Sequence, residues 1–277
     1  MTADTSNLLD KFLDYEATMD GRYTAKLLRE NLTIALVISA VYIVMVFVGK
    51  RIMQNRPAYQ LKTSLGIWSS ILAVFSIAGA ARTVPNLYTT AMRSVEDSIC
   101  EPSFVVDPPT GLWVLMFTLS KVPELLDTAF LVLKKRPVIF LHWYHHCTVL
   151  VFSFYVYGNI AASGRYFATL NLCVHSVMYS YYALKSFNVW IPKCVSMLIT
   201  FMQLTQMAIG VCVALKSYQY LGEGRPCSTS YSLVFWTLFM YSTYFILFAN
   251  FFYQSYLKPR PRNTNTAATN DIRKKAV

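Results

Sequence analysis

Val138–Tyr157 reads VIFLHWYHHCTVLVFSFYVY, twenty residues without an Asp, Glu, Lys or Arg. As a helix this run rises about 30 Å, the thickness of a bilayer's hydrocarbon core. It opens on His142, His145 and His146. The spacing i, i+3, i+4 puts the three imidazoles on one helical face. Lipid is a poor solvent for that face, so it must turn toward other helices or an enclosed cavity. One stretch therefore predicts both a membrane helix and a bundle around it. Composition agrees: of 277 residues, 55% are hydrophobic and 14% charged, more apolar surface than a soluble globule can hide. The same numbers exclude intrinsic disorder, and only 6 Cys in so long a chain exclude a disulfide-stapled scaffold.

Working outward, six more runs have spanning length. The expected set is Leu32–Val48, Leu65–Ala81, Gly111–Leu133, Val138–Tyr157, Tyr166–Leu184, Val195–Leu215 and Tyr231–Phe252. Backbone groups in lipid must be satisfied internally, and no repeated ten-residue alternation suggests strands, so the prediction is an all-α protein with seven transmembrane helices. The 31 residues before the first span hold six acids and no basic leader, which argues against a cleaved signal peptide. Charge orients the chain. The loops after spans 1, 3 and 5 and the C-terminal tail hold fifteen Lys and Arg, against Arg93, Arg165, Lys216 and Arg225 in the opposite loops, with Arg82 at the edge of span 2. The positive-inside rule makes the rich side cytosolic, the N-terminus lumenal and the C-terminus cytosolic. Three regions follow: a lumenal segment over 1–31, a seven-helix domain over 32–257 and a basic cytosolic tail over 258–277. Lys274 and Lys275, three and four places from the end, have the position of a dilysine signal for endoplasmic reticulum retrieval. Cys100 and Cys227 alone fall in loops of the oxidising side, so a disulfide between them is expected.

Ionisable groups within spans are few and grouped. Span 3 holds Lys121, Glu124 and Asp127 at intervals of three, followed by Thr128. That spacing sets the charges within one sector of the helix, where Lys121 and Glu124 can pair. Span 5 holds Asn171 and His175, continued by Tyr179 and Tyr182; span 6 holds Thr200, Gln203 and Gln206. All 4 His of the chain lie in these stripes. The stripes are expected to converge on one cavity. Three chemistries fit such an inventory. A di-iron site of a desaturase or hydroxylase needs about eight imidazoles in several boxes, more than exist here, and Lys121 would repel a single metal ion. Covalent acyl transfer suits it better: neutral imidazole attacks an activated acyl group, a second imidazole moves protons, and amides or tyrosines steady an oxyanion. Cys147, beside the box, is a rival nucleophile disfavoured by its apolar surroundings. A receptor or transporter lining its path with polar stripes is the non-enzymatic alternative. Spacing alone leaves His142, His145 and His146 equivalent.

At these motifs the chain resembles the fatty-acid elongase family, the membrane-embedded very-long-chain 3-oxoacyl-CoA synthases. The resemblance rests on KVPELLDT at Lys121–Thr128, LHWYHH at Leu141–His146, NLCVHSVMYSYYAL at Asn171–Leu184 and TFMQLTQ at Thr200–Gln206. Trp143 and Tyr144 within the box resemble the branch acting on long saturated and monounsaturated acyl-CoA. The resemblance implies that spans 2–4 and 5–7 form two inverted three-helix units around an acyl tunnel. It implies condensation of acyl-CoA with malonyl-CoA to 3-oxoacyl-CoA, CO2 and CoA, with no metal and no cofactor. It makes His145 the nucleophile, His175 and Asn171 the oxyanion or enolate support, and Glu124, Asp127 and Lys121 orienting or balancing charges. His142 and His146 are left as acid–base or architectural. Gln203, Gln206, Tyr179 and Tyr182 are expected along the substrate path, with Lys134, Lys135, Arg136 and Lys258 near the CoA phosphates. Expected partners are the lipid bilayer, the two CoA thioesters, other enzymes of the elongation cycle and a second copy of the chain; nucleic acid is not expected.

Overall fold

The computed structural model describes residues 2–258. Eleven helices follow one another: α1 Thr2–Thr18, α2 Gly21–Glu30, α3 Leu32–Gln54, α4 Lys62–Arg93, α5 Val95–Cys100, α6 Thr110–Ser120, α7 Leu126–Leu133, α8 Phe140–Gly158, α9 Gly164–Ser186, α10 Lys193–Gly222 and α11 Tyr231–Phe252. No strand occurs among the described residues. Among the described residues, four helical stretches are long and apolar enough to cross a membrane: Leu32–Gln54, Lys62–Arg93, Lys193–Gly222 and Tyr231–Leu257. α8 and α9 fall outside that set because their polar residues lower the mean hydropathy, and α6 and α7 because each is too short to span alone.

Six elements close into a ring. α4 packs on α9, α9 on α10, α10 on α11, α11 on α8, α8 on α6, and α6 back on α4. α3 lies outside this ring against α7 and α8. Two glycines permit close approaches between ring helices. A Cβ on Gly79 would sit 2.9 Å from Leu172 Cδ2 and 3.1 Å from Trp113 Cε3, which draws α4 against α9 and α6. A Cβ on Gly210 would meet the Tyr241 ring, so α10 and α11 pack directly across that point. The apolar face of α2, with Ala25 and Leu28 buried, joins a core with Phe104, Phe117, Leu150 and Leu172. The N-terminal segment is thus folded onto the bundle rather than hanging from it.

Two expected spans need correction. The second was drawn over Leu65–Ala81, but α4 runs 32 residues through Pro85 to Arg93. Its extension is anchored at Arg82, whose Nη2 lies 3.3 Å from the buried Glu16 carboxylate. The third span, drawn as one helix over Gly111–Leu133, is broken. α6 stops at Ser120, a 3₁₀ turn covers Pro123–Leu125, and α7 begins at Leu126. Pro123 has no N–H, and its ring clashes with the carbonyl four residues back. That carbonyl, of Leu119, accepts from Val122 N at 3.1 Å instead.

The ring is closed at one end by α5 and the turn Ser103–Val105. Cys100 and Cys227 are joined as a disulfide. Beside them Arg165, read from the sequence as a loop charge, is 1% exposed. Its guanidinium donates to the carbonyls of Asp97 and Ser98, both at 3.2 Å, and to Ser103 Oγ at 2.9 Å. The opposite end is open and basic.

Candidate active site

Within the ring lies a cavity of about 790 Å³. α8 contributes His142, His145 and His146; α9 contributes Asn171, His175, Tyr179 and Tyr182; α10 contributes Gln203 and Gln206; α7 contributes Asp127. All four histidines therefore reach one space. Ring centroids of His142 and His146 are 4.6 Å apart, and those of His145 and His146 are 5.5 Å apart. At the open end the lining includes Lys62, Lys134, Arg136 and Lys185. A second, apolar chamber of about 50 Å³ continues toward the disulfide end. Phe104, Phe152, Val156, Gly164 and Phe167 are among its walls. His145, Asn171, Gln206 and Met207 border both spaces.

The helix break explains the buried charges. Lys121 Nζ, at the end of α6, donates to Glu124 Oε1 at 2.7 Å in the following turn, and Ser120 Oγ donates to the same oxygen at 2.9 Å. Both charged side chains are nearly sealed from solvent. Breaking such a pair strands a charge in low dielectric, at about 3–5 kcal/mol. Lys121 Nζ also donates to Asn171 Oδ1 at 3.0 Å. That contact fixes the amide, because lysine can only donate. Asn171 Nδ2 is left facing His175 Nε2 at 3.2 Å, so Nε2 accepts and the His175 proton sits on Nδ1. A single chain of contacts thus links the ion pair to the tautomer of a histidine one helix away.

Asp127 behaves differently from its two neighbours. Its carboxylate accepts from Trp68 Nε1 and from Tyr179 Oη, each at 2.8 Å. It ties α7 to α4 and α9 at the cavity wall, and its hydrogen bonds go to these two residues rather than to an imidazole. His142 Nε2 instead lies 2.9 Å from Thr128 Oγ1. His145 packs against Tyr244, with centroids 4.9 Å apart, while Tyr244 Oη meets Thr148 Oγ1 at 2.7 Å. Gln203 Nε2 reaches Met178 Sδ at 3.3 Å. Glu124 Oε2, His146 Nδ1 and Gln206 Oε1 are buried without a partner among the described residues. Such atoms are the ones a bound substrate or water would satisfy.

Of the expected cations, Lys134 and Arg136 line the cavity. Lys135 does not: its Nζ donates to the carbonyls of Gln54 and Arg56, both at 3.1 Å, and pins the loop after α3. Lys258 is outside the lining, and Lys274 and Lys275 lie outside the described residues. Lys62 and Lys185, Trp68, Thr128 and Tyr244 were not singled out from sequence as site residues. Thr128 alone carried a signal, as the hydroxyl directly after Asp127. Among the described residues no group of three or more His, Cys, Asp and Glu converges to hold a metal ion.

Fold and site define a multi-pass helical membrane protein that encloses a histidine-lined cavity, with an apolar pocket beside it that shares His145 in its wall. The chain belongs to the GNS1/SUR4 (ELO) family, whose profile matches residues 27–264. It is 44% identical over 250 residues to very long chain fatty acid elongase 6 of Drosophila melanogaster, covering 89% of this chain and 79% of that protein. It is 42% identical over 224 residues to very long chain fatty acid elongase 3 of Homo sapiens, covering 80% and 83%. Elongase 6 of Gallus gallus is 38% identical over 245 residues, covering 88% and 92%.

Proposed function

We infer that the chain is the condensing enzyme of fatty-acid elongation. It joins a long-chain acyl-CoA to malonyl-CoA and releases 3-oxoacyl-CoA, CO2 and CoA. The observation that carries the reading is His145 standing where the polar cavity meets the apolar chamber. An acyl thioester with its carbonyl at such a junction has CoA toward the basic mouth and its chain toward the apolar walls, which must part to admit a long chain because the chamber as it stands holds only about 50 Å³. A His145 ring nitrogen attacks the thioester carbonyl, the C–S bond breaks, and CoA leaves as the thiolate. Malonyl-CoA then loses CO2, and its enolate carbon attacks the acyl-imidazole, breaking the C–N bond and restoring His145. Asn171, His175 and Gln206 surround the carbonyl oxygen during both steps. Lys62, Lys134, Arg136 and Lys185 meet the CoA phosphates at the mouth, as cations suit them. No metal enters this route.

The finer architecture belongs to the same reading. α3, α4, α6 with α7, α8, α9, α10 and α11 make seven spans, and the last six form two inverted three-helix units. The basic end faces the cytosol, where CoA thioesters arrive, and the disulfide end faces the oxidising lumen of the endoplasmic reticulum. Incubating the purified protein with acyl-CoA alone and mapping its peptides by mass spectrometry tests the route. An acyl adduct on His145 is expected. Condensation that proceeds with no histidine adduct would sink the covalent step. Incorporation of labelled malonyl-CoA by wild-type membranes tests the reaction itself, and its insensitivity to chelators tests the metal-free reading.

A further inference from the structure

His142 does not share the surroundings of the other box histidines. Its Nε2 lies 2.9 Å from Thr128 Oγ1, and Thr128 Oγ1 lies 2.8 Å from Tyr42 Oη. Tyr42 comes from α3, the helix outside the ring. Thr128 is 0% exposed and Tyr42 is 5% exposed, and Tyr42 has no second hydrogen-bond partner among the described residues. We propose that Tyr42 and Thr128 are positioning residues that lock His142 into the tautomer protonated on Nδ1, so that it faces the cavity only as a hydrogen-bond donor.

The direction of the relay follows from the chemistry of the hydroxyls. A phenol is the stronger donor and the poorer acceptor, so Tyr42 O–H donates to Thr128 Oγ1. Thr128 Oγ1 makes no third hydrogen bond among the described residues, so its one hydrogen goes to His142 Nε2, which accepts. The single proton of the neutral ring is left on Nδ1. The relay ends in a buried phenol, so it has no exit for a proton and acts as a lock rather than a wire. A ring whose Nε2 is occupied and whose Nδ1 bears hydrogen has no free lone pair for attack or proton abstraction. The threefold ambiguity of the box is thereby narrowed to His145 and His146. It also gives α3 a task in the site. The lock holds whatever substrate enters; its effect on rate rests on the condensation reading.

The chain's 4 His make the test direct. Protein labelled with ¹⁵N-histidine, in lipid, yields four imidazole spin systems, and His142 is assigned by the loss of one in His142→Gln. The expected wild-type result is a protonated Nδ1 and an accepting Nε2. Thr128→Val and Tyr42→Phe should shift His142 toward the other tautomer, whereas Thr128→Ser should keep the wild-type pattern. In parallel, kcat should fall about tenfold in Thr128→Val, the scale of one buried hydrogen bond, with the KM for acyl-CoA unchanged, and Thr128→Ser should restore it. A wild-type ring protonated on Nε2 overturns the proposal, as does an unchanged tautomer in folded Thr128→Val. Should Thr128→Val not fold, Tyr42→Phe decides by the same spectrum. A locked tautomer in a wild type that incorporates no malonyl-CoA would instead sink the condensation reading and leave the lock standing.

Discussion

The two chambers that meet at His145 are built on opposite principles. The larger, about 790 Å³, holds the histidines, amides and carboxylate and opens among lysines and an arginine. The smaller, about 50 Å³, is walled mainly by Phe, Val and Tyr and is closed by the turn around Phe104. Polar groups in the first are fixed by hydrogen bonds with strong angular demands; the second is fixed only by shape. The comparison predicts a division of labour. Changes in the polar chamber should alter rate, and changes in the apolar one should alter which chain is accepted. His145 borders both, so replacing it should break the distinction. His145→Ala is expected to lower condensation by at least about 10³-fold for every acyl chain, on the scale of losing a nucleophile and its proton transfers. Survival of activity with any chain length, measured across an acyl-CoA panel, would move the junction elsewhere.

The ion pair at the helix break is the next largest effect and belongs wholly to the polar side. Lys121→Met leaves Glu124 buried without its cation and frees the Asn171 amide to turn. A loss of about 3–5 kcal/mol in stability is expected, seen as a lowered Tm, together with a kcat loss of about 10²-fold. The ranking of acyl chains should not change. A changed ranking would mean that the two chambers are coupled through Asn171.

How far the sequence reaches differs between the same two regions. The polar chamber was largely legible. Four histidines at helical spacing, and stripes of charges and amides on otherwise apolar spans, have few places to go except a shared interior. Even so, Asp127 is placed by spacing in one sector with Lys121 and Glu124, and by the family resemblance beside the imidazoles, and it bonds Trp68 and Tyr179 instead. Spacing assumes an unbroken helix, and Pro123 breaks this one. Pro123 was the available signal. Lys135 was grouped with Lys134 and Arg136 because the three are adjacent; its φ of 52° belongs to a turn that directs it away from the cavity. The apolar chamber was illegible. The chain has 18 Phe and 19 Tyr, and nothing in their order distinguishes Phe104 from the rest. The expected disulfide closes that end, but the place of Phe104 within it is set by the Arg165 network, a contact between distant segments.

That chamber can be sharpened directly. A Cβ on Gly164 would stand 3.1 Å from both Phe104 Cζ and Val156 Cγ1. Gly164→Ala therefore fills space at the closed end, and Phe104→Leu opens it. One methylene in an apolar pocket is worth about 1–3 kcal/mol in discrimination. The longest accepted acyl-CoA should lose about tenfold in kcat/KM with Gly164→Ala, while short chains are elongated as before. Phe104→Leu should shift the product distribution toward longer acids. Equal losses across all chain lengths in both variants would show that this end merely supports the fold.

The basic mouth gives the smallest effect and the cleanest separation. Lys134 and Arg136 line the entrance, and Lys135 is engaged with backbone carbonyls. Removing one solvated cation from a phosphate site weakens binding without touching the reacting carbon, so KM should rise and kcat should hold. Arg136→Ala and Lys134→Ala are each expected to raise the KM for acyl-CoA about three- to tenfold, on the scale of one charge-assisted hydrogen bond at a partly solvated site. Added salt should shrink the difference from wild type, because screening weakens the wild-type contact first. Lys135→Ala should instead leave KM unchanged and lower Tm slightly, since its role is to hold the loop after α3. An equal KM effect for all three would mean that the mouth reads local charge density alone. A difference between Lys135 and its two neighbours would mean that the turn at Lys134–Lys135 sorts three adjacent cations into two jobs.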